Sequence, residues 1–562
     1  MTDYLQTQLR AVLDDLGGVP DDFDVALEEP ANEEHGDLAA NTALRLGSLL
    51  DDNPRSIAET IAERLRDRVD PHRIKSVEVA GPGFINFRFA QDYLFDGLAE
   101  LLAQGDTFGR TDAHTGETAN VEYVSANPTG PLTVGHGRNA VLGDTIATLL
   151  EWTGYDITRE YYFNNAGRQM RVLGQSVRAR YEALVGEDVP TKTLTVDDEE
   201  VEVPASFPED GYLGTYILDI AEQLYEEEGA SLLTTESLAP FRQAAEEAIF
   251  ADIEATLDRL NIEMDGYANE QDLHDGGTVQ KILDGLTEAG LTYEENGALW
   301  FKTTEFGREK DRVLVKQSGE PTYRTPDIAY HTTKFERDFG LMIDVFGADH
   351  HAAYPDVLDA LDVLGYDTDR VEVILYQFVT LVRGDEPVKM STRRANYVTL
   401  DDLIDEVGAD VTRFFFLMRS ADTHLNFDLE LAQEASDKNP VFYLQYAHAR
   451  ICSIIDKAEE VGFSPDADVD LSLLTHEAEL DLIKELLDFP QVLRSAAEAR
   501  APHFVPNYLE DVATTFSQFY DHCRIIGEDN DLATARMHLA LATKTVLKNG
   551  LTVLGLSAPR NM

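Results

Sequence analysis

A strand, a glycine-bearing loop, a helix and a second strand follow one another between NVEYVS (120–125) and ITREYYF (157–163), with the helix ending near Gly154. That order predicts a parallel sheet, because only a crossover helix returns the chain to a parallel neighbour. Strand patterns resume at LWFKTT, VLVKQ, LMIDVFG and EVILYQFVTL, so the predicted fold class is α/β with a Rossmann-type core over 109–434. A polar, proline-containing stretch, VPTKTLTVDDEEVEVPASFPEDGY, interrupts it and predicts an insertion at about 185–300. Ahead of the core, residues 1–108 read as a small α+β unit: Leu5, Leu9, Val12, Leu13 and Leu16 share one helical face. In VEVAGPGFINFRF, Ile85, Phe87 and Phe89 alternate with Phe84, Asn86 and Arg88. Beyond about 435, Val441, Leu444, Ile451, Ile454 and Ile455 take helical spacing, which predicts an all-helical unit over 435–562.

Composition narrows the classes. The 562 residues carry 104 acids against 46 bases, a formal charge of −58, yet 43% are hydrophobic, so the chain buries real cores and is not disordered. Cys452 and Cys523 form no CxxC pair, which excludes a disulfide framework and a cysteine-rich zinc site. The first helix has no signal pattern, and no apolar run approaches the ~18 residues that span a membrane, so a cytoplasmic protein is expected. Scattered acids of this number ordinarily repel nucleic acid. Molar salt would remove that repulsion, since the Debye length falls to ~3 Å at 1 M, and the composition therefore predicts a halophilic source.

Two segments carry phosphate chemistry. Asn127–Ala140, NPTGPLTVGHGRNA, leads from a strand into a helix; amides at that helix start, with His136 in the first turn, make an anion site. The same letters admit another reading, because Gly135, Gly137 and Ala140 fit GxGxxA and Glu160 stands where a dinucleotide's ribose acid would. Against an NAD(P)-dependent oxidoreductase stand the eight residues between strand and glycine, and a second motif, VKMSTRRANYV (388–398). A lysine and hydroxyls on a loop there would neutralise charge on a leaving pyrophosphate.

VGH with KMST resembles the HIGH and KMSKS pair of class I aminoacyl-tRNA synthetases. The strings VEYVSANPTGPLTVGHGRNAVLGD, TYRTPDIAYH, GADHHA, VGADVTRFFFL, NPVFYLQYAHARICSI and VLKNGLTVLGLSAPRNM resemble the arginyl-tRNA synthetase family in that order. The resemblance implies a catalytic domain over 109–434, an N-terminal tRNA-binding domain and a C-terminal helical anticodon-binding domain. It implies a ligase that makes arginyl-adenylate from L-arginine and ATP, with Mg²⁺ entering on ATP and no structural metal, and then esterifies tRNA(Arg). His136, Lys389 and Ser391 match the catalytic positions, and Thr133, Gly135 and Met390 complete an ATP-binding set. Glu122, Tyr323 and Asp327 match positions that take the guanidinium, a planar cation suited to carboxylates. Ser125 and Asn127 match those that hold the α-amino end. Asp349 and His350 are expected at the active-site rim, with structural support an equal possibility.

Asn86 and Phe89 match residues that grip a D-loop base, and Tyr443 and Tyr446 occupy aromatic positions suited to stacking anticodon bases. Two departures stand out: Thr133 replaces the first histidine of HIGH, and Gly130 replaces a lysine found where the KMSKS lysine is missing; here Lys389 is present. With the acidity, the resemblance predicts a monomer from a halophilic archaeon. The rivals are the oxidoreductase, a catalytically silent tRNA-binding paralogue, and a tRNA-free nucleotidylyltransferase that would leave both flanking domains idle.

Overall fold

The computed structural model describes every residue except 18, 21, 31, 187–188, 197–198, 385, 389–397, 464–468 and 528–529. In the N-terminal unit, α1 (Thr2–Leu16) buries Leu5, Leu9, Val12 and Leu13. Strands β1 (Leu27–Glu28), β2 (Leu38–Ala40), β3 (Ile74–Ala80) and β4 (Phe84–Phe89) form an antiparallel sheet in the order β1-β2-β4-β3. Helices α2 (Thr42–Leu50) and α3 (Pro54–Arg66) join α1 over its apolar core; α3 starts cleanly because Pro54 needs no amide partner and Asn53 caps the Arg55 and Ser56 amides.

Helix α4 (Gln91–Gln104) leads to the central sheet. Its strands are β5 (Thr118–Glu122), β6 (Asp156–Phe163), β9 (Gly266–Asn269), β13 (Leu341–Gly347) and β14 (Val371–Tyr376), all parallel, in the order β14-β13-β5-β6-β9. The chain winds outward on both sides of β5, so a crevice opens at the C-terminal ends of β5 and β13, where ligands of such sheets bind. Helix α5 (Val134–Trp152) follows β5 and is buried almost all round.

Between β6 and β9 lie α6 (Gly167–Val185), the hairpin β7 (Thr191–Val196) and β8 (Glu199–Pro204), α7 (Thr215–Glu228) and α8 (Ala239–Arg259). After β9 come α9 (Glu270–Asp275), α10 (Thr278–Glu288) and a small antiparallel sheet of β10 (Thr292–Glu295), β11 (Ala298–Phe301) and β12 (Arg312–Val315). Helix α11 (Arg324–Glu336) then crosses to β13, and α12 (Tyr354–Val363) to β14.

EVILYQFVTL, which reads as one strand, is two. Tyr376 ends β14, and β15 (Val379–Arg383) joins a different sheet with β16 (Glu386–Pro387) and β17 (Leu425–Asp428). The break is held by Arg138 of α5, fully buried, whose guanidinium donates to the carbonyls of Gln377, Ser420 and Thr423 at 2.6, 2.9 and 2.9 Å. Helices α13 (Leu400–Val407), α14 (Ala409–Leu417) and α15 (Leu429–Gln433) lead to the helical unit: α16 (Pro440–Glu460), α17 (Glu477–Leu487), α18 (Phe489–Glu498), α19 (Phe504–His522) and α20 (Asn530–Val553). Its core is continuous with that of the central sheet. Arg413 of α14 clamps the junction, donating to Leu554 and Leu260 carbonyls and to Asp144 of α5 at 2.8, 2.7 and 2.6 Å.

Candidate active site

The crevice begins with a strained turn. Just past β5, Val124 and Ser125 take left-handed φ values of 64° and 38°, at a cost of roughly 1–3 kcal/mol each, most for the β-branched valine. Three neighbours impose it. Asn139 of α5 accepts the Val124 amide at 2.6 Å, while Ser125 Oγ donates to Glu122 at 2.9 Å and accepts the Tyr162 amide at 3.1 Å. Ser125 is thereby fixed at the strand end, and Asn127 stands exposed two residues on.

Helix α5 opens with a capping box: Thr133 Oγ1 accepts the His136 amide, and His136 Nδ1 accepts the Thr133 amide at 3.1 Å. Burial lowers the His136 pKa, so the ring is neutral, and its engaged Nδ1 places the proton on Nε2 as a donor. Thr133, standing where the family has histidine, therefore serves as the cap that sets the tautomer of the remaining one. Gly135 leaves the first turn uncrowded, the nearest atom to an added Cβ being Thr133 Oγ1 at 3.7 Å.

The residues that follow the second motif reach this point. Thr133 pairs with Thr399, and Leu400 donates its amide to the Leu132 carbonyl at 2.8 Å. Val388, on the other flank, donates to Leu381 at 2.9 Å. Lys389, Met390 and Ser391 lie outside the described residues.

The dinucleotide reading fails on geometry. A Cβ on Gly137 would lie 2.5 Å from Leu400 and 3.0 Å from Phe416, so this glycine serves helix packing, with no phosphate involved. Glu160, the would-be ribose acid, is buried, paired with Arg337 at 2.8 Å and bonded by Asn120 at 2.6 Å.

Beside the turn, charged and polar groups converge from five elements. Lys334 of α11, fully buried, donates at 2.6 Å to Glu122 of β5 and at 2.6 Å to Asp344 of β13. His331, one turn earlier, bonds Asp344 at 2.7 Å and the Asp327 carbonyl at 2.8 Å. Tyr162 of β6 stacks on Tyr330 at 4.5 Å and donates to Glu270 of α9 at 3.0 Å.

Burial opposes charge on Asp344, but Lys334 and His331 hold its carboxyl far below the usual range. Burial likewise works against Lys334 and His331, and Asp344 outweighs it, raising both. Glu122 and Glu270 are raised by burial. Tyr323, at the start of α11, is 56% exposed, with the Arg324 guanidinium 4.9 Å over its ring.

Glu122, Ser125, Tyr162, Glu270, Asp327 and Lys334 thus form one acidic cluster at the end of β5, the strand that leads into the His136 helix. Reading by sequence missed Glu270, Lys334, His331 and Asp344. A signal existed for three: Asp327, His331 and Lys334 recur along one face of α11, and Asp344 is a lone acid in an apolar strand. Asp349 and His350 lie exposed just beyond β13, 4.0 Å apart, with the His350 ring on Phe346. Among the described residues, no three histidine, cysteine or acidic side chains are grouped to hold a metal.

The remaining expected residues lie elsewhere. Asn86 is buried in β4, and Phe89 is half-buried edge-on to Tyr93. On α16, Tyr443 packs against the core, whereas Tyr446 is 46% exposed and stacked on Phe442. Tyr446 borders a 270 Å³ hollow with Arg450, Lys457, Tyr520 and Met562, and Arg450 lies 4.2 Å over the Tyr520 ring.

A parallel sheet whose winding reverses at β5, a capped histidine at the start of α5 and a helical bundle behind it are the arrangement expected of class I aminoacyl-tRNA synthetases, and the comparisons show that class. Three family models match in series: the arginyl tRNA synthetase N terminal domain over 3–89, the catalytic domain of class I (R) tRNA synthetases over 97–416, and the DALR anticodon binding domain over 444–562. The arginine–tRNA ligase of Salinibacter ruber is 80% identical over the full length of both chains. A solved structure assigned to a Campylobacter jejuni arginyl-tRNA synthetase superposes with a TM-score of 0.76 at 33% identity, covering 84% of this chain and 100% of that one. The Thermus thermophilus arginyl-tRNA synthetase has the same fold, with a TM-score of 0.77 at 22% identity over 100% of both chains. The chain belongs to the arginyl-tRNA synthetase family. An archaeal source is not supported, since Salinibacter ruber is a bacterium; acidity reports on the salt a surface tolerates and carries no lineage.

Proposed function

We propose that the two halves of the crevice divide the reaction between them. The protein is an arginine–tRNA ligase: it activates L-arginine with ATP to arginyl-adenylate and transfers arginine to the 3′-terminal adenosine of tRNA(Arg). In our reading the acidic pocket takes the amino acid, with Asp327, Glu270 and Tyr323 around the guanidinium. Glu122 backs them by anchoring Lys334 and Ser125, and Ser125 and Asn127 receive the α-amino end. The arginine carboxylate then displaces pyrophosphate from the ATP α-phosphate.

The amides at the start of α5 and the His136 Nε2 proton donate to the phosphates, with Thr133 and Gly135 shaping that turn. Lys389 and Ser391, with Met390, stabilise the leaving pyrophosphate from the segment between Val388 and Thr399. Mg²⁺ enters with ATP, whose oxygens supply the ligands; it adds charge neutralisation. Asn86 and Phe89, with Tyr443 and Tyr446, would meet tRNA, and Asp349 and His350 would line the rim. In our reading the enzyme acts as a monomer, and its charge supports a salt-rich cytoplasm; among the described residues no helix is long and apolar enough to cross a membrane.

The observation that carries this reading is the acidic cluster at the end of β5 together with the capped start of the helix that follows it. Lys389→Ala should leave folding intact and lower the single-turnover rate of adenylate formation at least 10²-fold, as for loss of one transition-state donor. An unchanged rate would remove the lysine from the mechanism.

A further inference from the structure

Four carboxyls meet in the arginine pocket, and three already have partners. Glu122 is held by Lys334 and Ser125, Asp344 by Lys334 and His331, and Glu270 by Tyr162, with His274 at 3.5 Å. Asp327 differs. Its backbone oxygen is bonded by His331, but its carboxyl has no hydrogen bond or ion pair among the described residues, and the residue is half-buried.

We propose that arginine enters this pocket by exchange: its guanidinium takes the place of a proton on Asp327, and that proton leaves to solvent. This rests on the reading of the pocket as the arginine site.

The surroundings of Asp327 favour a proton on its carboxyl in the empty state. On its own helix the cations His331 and Lys334 are both turned to Asp344. From β5 it faces Glu122, from α9 Glu270 and from β6 the Tyr162 phenol. Asp356 of α12 is neutralised by Arg312 and Arg324 at 3.0 and 2.9 Å, Glu160 of β6 by Arg337, and the charges of α10 (Lys281, Asp284, Glu288) are exposed. Burial, with Glu122 and Glu270 adding to it against the opposing pull of His331, pushes the Asp327 carboxyl up to about 7.

The exchange balances: a neutral acid and a guanidinium become a carboxylate–guanidinium pair and a free proton. Because the guanidinium keeps its charge throughout the working range, arginine affinity should rise about tenfold per pH unit below 7 and flatten above 8. Citrulline, a neutral isostere, can bind the protonated pocket and should release nothing. Selection for the cation therefore sharpens as pH rises.

The test is titration calorimetry of the full-length protein with L-arginine, at pH 6.0 and 8.5, in paired buffers of different ionisation enthalpy. We expect close to one proton released per arginine at pH 6.0 and about a tenth or less at pH 8.5, with none for citrulline at either. Asp327→Asn should abolish the release and flatten the pH dependence of Kd. Arginine binding at pH 6.0 without proton release would overturn the exchange and leave the pocket assignment standing, a result the wild type alone can give. Release undiminished in Asp327→Asn would also overturn it. Failure to bind arginine at either pH, even with tRNA and a non-hydrolysable ATP analogue present, would overturn the pocket reading and the exchange together.

Discussion

Lys334 shows how much of this site is decided by single residues that never touch solvent. Among the described residues it is the cation paired with both Glu122 and Asp344, each at 2.6 Å. Removing one member of a buried ion cluster leaves uncompensated charge and costs about 3–5 kcal/mol. Lys334→Met should accordingly lower the midpoint of thermal unfolding, and it should raise the KM for arginine far more than that for ATP, because it releases Glu122 and Ser125 on the amino-acid side only. Equal changes in both constants would mark Lys334 as purely structural. The residues legible in the sequence were those inside short contiguous motifs, such as Thr133 with His136. Glu270 was not legible, because it joins the pocket through Tyr162, 108 positions away. Lys389 and Ser391 read as letters of a motif and lie outside the described residues.

At the level of elements, the parallel strands and crossover helices were readable from apolar runs and spacing, because a strand buried on both faces has few other compositions. Where the reading slipped, at 372–381, one apolar run served two sheets; only a distant side chain, Arg138, decides where it breaks. Helix α16 poses the same problem for side chains. Tyr443 and Tyr446 are three apart, yet Tyr443 packs inward and Tyr446 outward. Tyr446→Ala should therefore reduce charging of tRNA(Arg) by about one stacked base's worth, roughly tenfold, and leave thermal stability within a degree or two. The check is aminoacylation of full-length tRNA beside tRNA-independent arginine binding; parallel losses in both would show that Tyr446 acts through the fold.

Across the whole molecule, the N-terminal unit docks on the helical one through Asp3 with Arg494 and through Asp37 with Lys484 at 2.9 Å, in a setting crowded with acids. Glu485, half-buried there, has its carboxyl pushed up to about 8 by burial and by Asp488, Asp511 and Glu29. A carboxyl raised on folding favours the protonated native state, so its contribution is full near pH 4 and is lost as pH rises through 8. Glu485→Gln should thus stabilise the protein at pH 8.5, by about 1 kcal/mol once solvent screening is allowed for, and do nothing at pH 5, as thermal melts would show. The formal charge of −58 acts on the same scale. Screening relieves both self-repulsion and repulsion of tRNA, so stability and aminoacylation should rise together from 0.1 M towards roughly 2 M KCl; a maximum below about 0.3 M, where ordinary phosphate contacts still dominate, would count against that reading. The acidic cluster at the end of β5 and the His136 helix start are expected to activate arginine and no other amino acid. Pyrophosphate exchange measured with each amino acid in turn, with and without tRNA(Arg) in strong KCl, tests it most directly. Exchange with arginine alone, reduced at least 10²-fold by His136→Ala, is the predicted result; exchange with lysine or citrulline at comparable rates, or arginine exchange untouched by that substitution, would contradict it.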